Sequence, residues 1–196
     1  MSTRKAIIDA AARLFAEKGY EGMTVKLIAD EVGITPSAIY AFYKNKEDVF
    51  FQVYKEVLNN HLDIAQSHSR EFRNLSTQAQ LHRLLRELFH FHFEDDLQLK
   101  IFMRLLLFPP KVFQTNLKEA LNQLADVECQ LFAELFEEGM RRGEVRAGDS
   151  AIYARALLCM MDGLFWQLQR CVSAETFWEG FELAWGHFWD GIKRGN

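Results

Sequence analysis

The chain is poor in cysteine and proline, and no charge of one sign dominates it. Only 3 cysteines and 3 prolines occur among its 196 residues. The cysteines, Cys129, Cys159 and Cys171, are odd in number and lack the spacing of zinc ligands, so they predict neither a disulfide framework nor a metal site. We therefore expect a protein of a reducing cytoplasm that needs no cofactor.

Long hydrophobic runs are also missing. The most apolar stretch, 151–171, is interrupted by Arg155, Asp162 and Arg170, and charges at that density argue against a membrane span. The first residues, MSTRKAIIDAA, show an amphipathic helical pattern without the apolar core of a signal peptide. The sequence predicts no membrane partner.

What the chain has in abundance is helical patterning. With 49% hydrophobic residues it can bury a sizeable core, and the apolar spacing indicates an all-α protein of about nine helices. Asn45, with Asp48 three residues on, resembles a capping box that opens a helix over 46–66. A polar loop over 68–75 follows, and Pro110 starts a long helix. We predict two domains, 1–45 and 46–196, with helix 46–66 connecting them.

The most informative local signals lie between Thr24 and Lys46. Thr24 is a suitable N-cap, and Gly33 tolerates the left-handed conformation that ends a helix. Thr35 followed by Pro36 restarts the chain as a cap and a first helical residue. Two short helices joined at Gly33, the second predicted over 36–43, form a helix-turn-helix pattern.

These residues carry a family resemblance. The segments LFAEKGYEGMTV, IADEVGI and IYAFYKNKEDVF, all within 11–50, resemble the DNA-binding domain of the TetR (tetracycline repressor) family of bacterial transcription regulators. The resemblance implies a sequence-specific DNA-binding regulator. It further implies a homodimeric repressor that a small-molecule effector releases from a pseudo-palindromic, double-stranded operator.

The same resemblance implies roles for particular residues. Tyr40 and Lys46 match positions that contact phosphate, and Thr24 and Lys26 match positions that meet the backbone or a base edge. Lys44 lies on or near the outer face of the second short helix. The positions that meet the major groove are Thr35, Pro36, Ser37, Ala38, Ala41 and Phe42.

Two features limit direct base recognition. The family often has an aromatic residue and then a histidine or tyrosine directly after the tyrosine, whereas this chain has Ala41 and Phe42, which cannot donate a side-chain hydrogen bond. Thr35, Ser37 and Lys26 are the strong polar candidates for base contacts, so DNA shape and thymine methyl contacts gain importance. Residues 1–50 hold seven Lys or Arg and seven Asp or Glu, so there is no basic stripe. A neutral module of this kind should gain affinity from two copies. Helix capping alone would also explain the presence of Thr24 and Thr35. Without the surrounding pattern, Tyr40 would be interpreted as an ordinary half-exposed helical tyrosine.

The middle of the chain is rich in aromatic residues. The resemblance implies a ligand cavity there, and this composition suits an apolar or aromatic molecule. Plain core packing explains the same stripe equally well. His90 and His92 point to different helix faces, so they cannot chelate one metal ion. The candidate pocket residues are Phe89, Phe93, Phe102, Met103, Leu106, Phe113, Leu117, Met161 and Phe165.

The last two predicted helices, 150–171 and 174–193, are apolar on more than one face. Such helices need partners on two sides, and the resemblance implies that two copies pair through them. The alternative is that both faces are covered within one chain. The candidate dimer residues are Ala156, Met160, Gly163, Phe181, Trp185 and Phe188.

Other functions stay open at this stage. Ligand-activated regulation and corepressor-dependent repression would use the same parts. An all-helical enzyme would need a nucleophile with its base or paired catalytic carboxylates, and the sequence has no such motif. A protein-interaction module would explain the aromatic helices but leaves the pattern between Thr24 and Lys46 without a purpose.

Overall fold

The computed structural model describes residues 2–72, 74–94, 96–168, 170–171 and 173–195. This part of the chain contains no strand, only an isolated bridge between Val145 and Lys193, and the all-α prediction is confirmed. A 3₁₀ turn, Lys111–Phe113, precedes α7. The nine α-helices of these residues are α1 (Thr3–Gly22), α2 (Val25–Val32), α3 (Pro36–Tyr40), α4 (Lys46–Glu71), α5 (Thr77–Glu94), α6 (Asp96–Leu107), α7 (Gln114–Arg141), α8 (Ser150–Leu168) and α9 (Ala174–Ile192).

Three predicted boundaries differ from the structure. α3 ends at Tyr40 rather than near residue 43, because the next residues form a turn. α4 continues to Glu71, so part of the predicted loop over 68–75 is helical. Pro110 precedes the 3₁₀ turn, and the long helix begins only at Gln114.

The chain forms two compact units. The first contains the residues up to His61 together with Glu94–Leu121, and the second contains Leu62–Phe93 and the residues from Asn122 onward. α4 and α7 each have residues in both units. The predicted division into domains 1–45 and 46–196 has different bounds from these compact units and stays a prediction.

An aromatic cluster organises the first unit. The Phe50 ring, which is fully buried, has its centroid 5.0 Å from those of Phe15, Tyr20 and Phe113. Tyr54 completes the cluster at 5.9 Å from Phe50. Such tilted and edge-on ring pairs stabilise a core beyond their apolar area. The residue before α7, Phe113, thus shares a core with α1 and α4.

α6 also packs against α1 in this unit. Gly19 adopts a φ of 71°, which kinks α1 near its end. Arg104 of α6 donates from Nε to the Ala16 carbonyl at 2.9 Å and from Nη2 to the Glu17 carbonyl at 3.2 Å. Carbonyl groups near a helix end or kink lose helical partners, and side-chain donors such as this guanidinium can bind them.

The second unit has its own aromatic core. Phe89 of α5 lies 4.9 Å from Phe165 of α8 and 5.3 Å from Phe177 of α9, ring centroid to centroid. Phe181 is fully buried next to them. Three helices therefore meet at Phe89. Within the described residues, no helix is both long enough and apolar enough to cross a membrane.

Candidate nucleic-acid interface

The turn between α2 and α3 is held by backbone hydrogen bonds. Gly33 adopts a φ of 75° and a ψ of 33°, the left-handed conformation predicted for it. The Ile34 amide donates to the Ala29 carbonyl at 3.0 Å, and the Gly33 amide donates to the Asp30 carbonyl at 3.3 Å. This pair of bonds is the Schellman arrangement that ends a helix. The direction of α3 relative to α2 is therefore fixed by main-chain geometry.

Both short helices begin with a threonine cap. The Thr24 hydroxyl accepts a hydrogen bond from the Leu27 amide at 3.2 Å, and the Thr35 hydroxyl accepts one from the Ala38 amide at 3.3 Å. The Thr35 and Ser37 hydroxyls also lie 2.9 Å apart and bond to each other. A hydroxyl has one proton and two lone pairs, so each threonine can make a further hydrogen bond while it caps its helix.

The buried side of α3 anchors it to the first unit. Ile39 is 1% exposed and Tyr43, just beyond the helix, is 4% exposed. The Tyr43 hydroxyl donates to the Arg4 carbonyl at 3.4 Å, and burial raises the pKa of this phenol above its ordinary value. The turn after α3 is thus tied to the start of α1.

The opposite side of this helix-turn-helix is open. Tyr40 is 54% exposed and Phe42 is 39% exposed, so both aromatic side chains are accessible from solvent. Every predicted DNA-contact residue is at least partly accessible, and only Ala38 and Lys46 are half-buried rather than exposed. The exposed ones are Thr24, Lys26, Thr35, Pro36, Ser37, Tyr40, Ala41, Phe42 and Lys44.

The start of α4 carries the last predicted contact. Asn45 caps the helix by accepting from the Asp48 amide at 2.8 Å, and Asp48 in turn accepts from the Lys44 amide at 3.1 Å. The predicted capping box is therefore present, with the reciprocal bond shifted by one residue. This cap places Lys46 in the first turn of α4, with its ammonium 4.1 Å from the centroid of the Tyr20 ring.

The sequence pattern did not indicate Tyr20 or two ion pairs that brace the motif. Arg13 of α1 and Glu31 of α2 are 2.6 Å apart, and Lys5 of α1 pairs with Glu56 of α4. These contacts join distant segments, so no local spacing could have indicated them. Among the described residues, no group of three His, Cys, Asp or Glu side chains is arranged to hold a metal ion.

A fixed turn, two capped helices and an exposed tyrosine face are the geometry of a DNA-reading helix-turn-helix. Residues 7–53 match the family model described as bacterial regulatory proteins, tetR family. Residues 7–53 therefore form a DNA-binding domain of the TetR family. The chain is a DNA-binding transcriptional regulator.

Relatives of the TetR family extend the likeness beyond the motif. The chain is 26% identical over 155 residues to the fatty acid metabolism regulator protein of Bacillus subtilis, covering 78% of this chain and 75% of that protein. SmeT, the repressor of the Stenotrophomonas maltophilia multidrug efflux pump SmeDEF, shares its fold with a TM-score of 0.78 and 22% identity, over 100% of this chain and 93% of SmeT. The SmeT–triclosan complex gives a TM-score of 0.80 and 23% identity, over 100% and 94% of the two chains.

The predicted pocket residues divide between the two units. Phe89, Phe93, Met161 and Phe165 lie in the second unit, where the three phenylalanines join the aromatic core around Phe177 and Met161 is buried. The other five, Phe102, Met103, Leu106, Phe113 and Leu117, lie in the first.

Two of those five differ from the expectation of a pocket lining. Leu106, in the last turn of α6, is 47% exposed. Phe113 packs on Phe50 in the helix-turn-helix core. A polar surface groove of about 360 Å³ in the second unit involves none of the predicted pocket residues; it is lined by Gln80, Leu131, Glu134, Leu135, Glu138, Arg141 and Arg142.

The predicted dimer residues differ in their exposure to solvent. Ala156 and Gly163 are exposed and Met160 is half-buried, but Phe181 and Trp185 are 0% and 4% exposed. The latter two are packed in the core of the second unit of this chain, so they cannot face a partner without disruption of that core. Phe188 is half-buried beside Phe136, with ring centroids 6.2 Å apart.

Proposed function

We propose that this chain is a homodimeric repressor that an apolar small molecule releases from a pseudo-palindromic operator. The observation that carries the proposal is the rigid helix-turn-helix with Tyr40 on its open side. One short recognition helix offers few contacts, so two copies on half-sites about 34–36 Å apart would supply the missing affinity and specificity.

The DNA contacts in this proposal fall into two groups. Tyr40 and Lys46, with Thr24 and Lys26, hold the phosphate backbone and set the register, which is the positioning role of such contacts. The major-groove face consists of Thr35, Pro36, Ser37, Ala38, Ala41 and Phe42, with Lys44 beside it. Because only the two hydroxyls among these can read bases directly, methyl contacts and DNA shape carry much of the specificity.

The surface that supports dimerisation is a stripe of exposed residues on α8. We call it the α8 seam; its members are Ile152, Ala156, Cys159, Gly163 and Trp166, all exposed. Their spacing of four, three, four and three residues is that of a coiled-coil contact line. On α9, Leu183 is 65% exposed. We assign the partner-facing role to this seam and to Leu183, in place of Phe181 and Trp185.

We infer an apolar effector for the second unit. Support comes from the aromatic core of α5, α8 and α9 and from two relatives, one a regulator of fatty acid metabolism and one solved with triclosan. Both names point to apolar or aromatic chemistry. The effector acts by binding more tightly to a dimer whose recognition helices do not match the operator.

The proposal assigns DNA binding rather than catalysis, and it places the protein in the bacterial cytoplasm because operator DNA is there. Selection on random duplexes should recover a two-fold-related site of two half-sites. Tyr40→Ala and Lys46→Ala should each weaken binding to that site, whatever the bases. Lys55→Ala, which removes an exposed lysine farther along α4, is the matched control and should bind like the wild type. Unchanged affinity in both test variants would reject the assignment.

A further inference from the structure

Lys46 is held by the face of an aromatic ring. Its ammonium lies 4.1 Å from the centroid of Tyr20, well inside the range of a cation–π contact. The two residues are far apart in sequence, and both belong to the first unit. A lysine side chain that is free in solution samples many rotamers, whereas this one is directed by its ring partner.

The Tyr20 ring is itself fixed at its hydroxyl end. The phenol donates to Glu47 Oε1 at 3.1 Å, and the side chain is 8% exposed. Burial, the hydrogen bond to Glu47 and the charges of Glu47 and Glu21 raise the pKa of Tyr20 to about 12. The phenol is therefore protonated and a donor at neutral pH. Glu47 follows Lys46 in α4, so both ends of the tyrosine contact the same helical turn.

Two further aromatic rings pack against the Tyr20 ring. Its centroid lies 5.0 Å from Phe50 and 5.8 Å from Phe113, and the latter two rings are 5.0 Å apart. Phe113 ends the connection between α6 and α7, which contains Pro109 and Pro110. A displacement of this connection would move Phe113 and, through it, the ring under Lys46.

We propose that Tyr20 is a positioning residue for DNA binding: its ring directs the Lys46 ammonium to the operator phosphate, and Phe113 holds that ring in place. The inference rests on the proposed function, in which Lys46 contacts phosphate. It adds a route by which the α6–α7 connection adjusts operator affinity without touching DNA.

The physical effect is pre-organisation. A side chain already held in its bound geometry loses less conformational freedom when it meets the phosphate, and the saved entropy appears as affinity. Removing the ring face should therefore weaken DNA binding as if part of the lysine contact were lost. A merely structural tyrosine would affect stability and leave the lysine contact intact.

A double-mutant cycle between Tyr20 and Lys46 tests this. Tyr20→Leu keeps an apolar side chain but removes the ring face, and it should raise the operator dissociation constant several-fold, up to about tenfold for one charge-assisted contact. Lys46→Ala should weaken binding at least as much. In the Lys46→Ala background, Tyr20→Leu should have no further effect, because the group on which it acts is gone.

Tyr20→Phe is the conservative variant. It keeps the ring face and loses only the hydroxyl, so it should restore most of the affinity that Tyr20→Leu loses. Phe51→Leu is a matched control, since Phe51 also carries a lysine over its ring, Lys55 at 5.5 Å. That lysine is outside the proposed interface, so Phe51→Leu should leave operator affinity unchanged. Thermal melts confirm that each variant is folded.

The salt dependence of binding gives a second readout. Losing one phosphate contact in each half-site should reduce the slope of log affinity against log salt by roughly two per dimer. Tyr20→Leu and Phe113→Leu should shift the slope in the direction of Lys46→Ala, by a smaller amount. Phe51→Leu should not shift it.

The outcomes separate the two proposals. If Lys46→Ala weakens binding but Tyr20→Leu weakens it equally in both backgrounds, the positioning role is wrong and the proposed function stands. The role is also wrong if Tyr20→Phe binds as poorly as Tyr20→Leu. If neither Lys46→Ala nor Tyr40→Ala alters DNA affinity, both the proposed function and this inference are rejected.

Discussion

Arg104 donates from Nε to the Ala16 carbonyl oxygen across 2.9 Å, and this bond ties α6 to the end of α1. Its second bond, to the Glu17 carbonyl, spans 3.2 Å. A guanidinium at a helix C-terminus also interacts favourably with the helix dipole. Gly19, at a φ of 71°, makes room for this arrangement, since a Cβ there would lie 3.2 Å from Arg104 Nη1.

Replacing Arg104 by Met should therefore destabilise the first unit. Hydrogen bonds from a charged donor contribute about 1–3 kcal/mol, and partial exposure places the expected loss near the lower end. Chemical denaturation followed by circular dichroism measures the loss. Arg86→Met removes an exposed arginine paired with Glu182 in the second unit and should cost less; equal losses would contradict the role of Arg104.

Gly33→Ala should destabilise the helix-turn-helix and weaken DNA binding. A side chain at a φ of 75° costs about 1–2 kcal/mol because Cβ approaches the carbonyl oxygen. Gly191→Ala is the control: it lies in α9 with nothing within 4 Å of its added Cβ. There alanine should be neutral or stabilising by up to about 1 kcal/mol. Melting temperatures and operator titrations of both variants test this. Equal stability and operator affinity in the two variants would contradict the prediction.

Leu183→Glu and Gly163→Glu should disrupt the proposed dimer. Each places a charge on an exposed face that we assign to the partner, and burying an unpaired charge is costly. Analytical ultracentrifugation should show monomers at a concentration where the wild type is dimeric. The same change at Leu107, an exposed apolar residue of α6, should leave the dimer intact. A dimer that survives both the Leu183 and the Gly163 change would refute the assignment.

Tyr20 gives a prediction at alkaline pH. Its folded pKa of about 12 lies above the ordinary value of 10.0, so between these values the unfolded chain releases a proton that the folded chain keeps. The free energy of unfolding should therefore fall as pH rises from 10.0 towards 12. Tyr20→Phe should show a shallower fall. Denaturant titrations at several pH values measure this difference, and identical slopes would contradict it.

The helix-turn-helix was predictable because its signals are local. Thr24, Gly33 and Thr35 each determine one cap or turn through atoms within a few residues, and the structure has the bonds that they predict. The residue at which α3 ends was harder to predict from the sequence. Tyr43 continues the apolar spacing of the helix, but it is buried by packing against the start of α1 after the helix has ended.

Features that depend on long-range contacts were not predictable. Nothing near Tyr20 in the sequence indicates that Lys46 lies over its ring, since tertiary packing brings the two together. α9 illustrates another limit, because it is apolar on several faces and periodicity cannot say which one faces inward. The structure buries Phe181 and Trp185 and exposes Leu183, which reverses the expected orientation.

In the proposed dimer, the α8 seam would influence the distance between the two DNA-binding domains. Its central members, Ala156, Cys159 and Gly163, are small, while Ile152 and Trp166 at the ends are large. A partner helix could approach the middle closely, and the bulky ends would prevent it from sliding along the axis. Such a contact would fix one register between the two helices. The operator spacing that the protein accepts would then depend largely on three small residues that do not contact DNA.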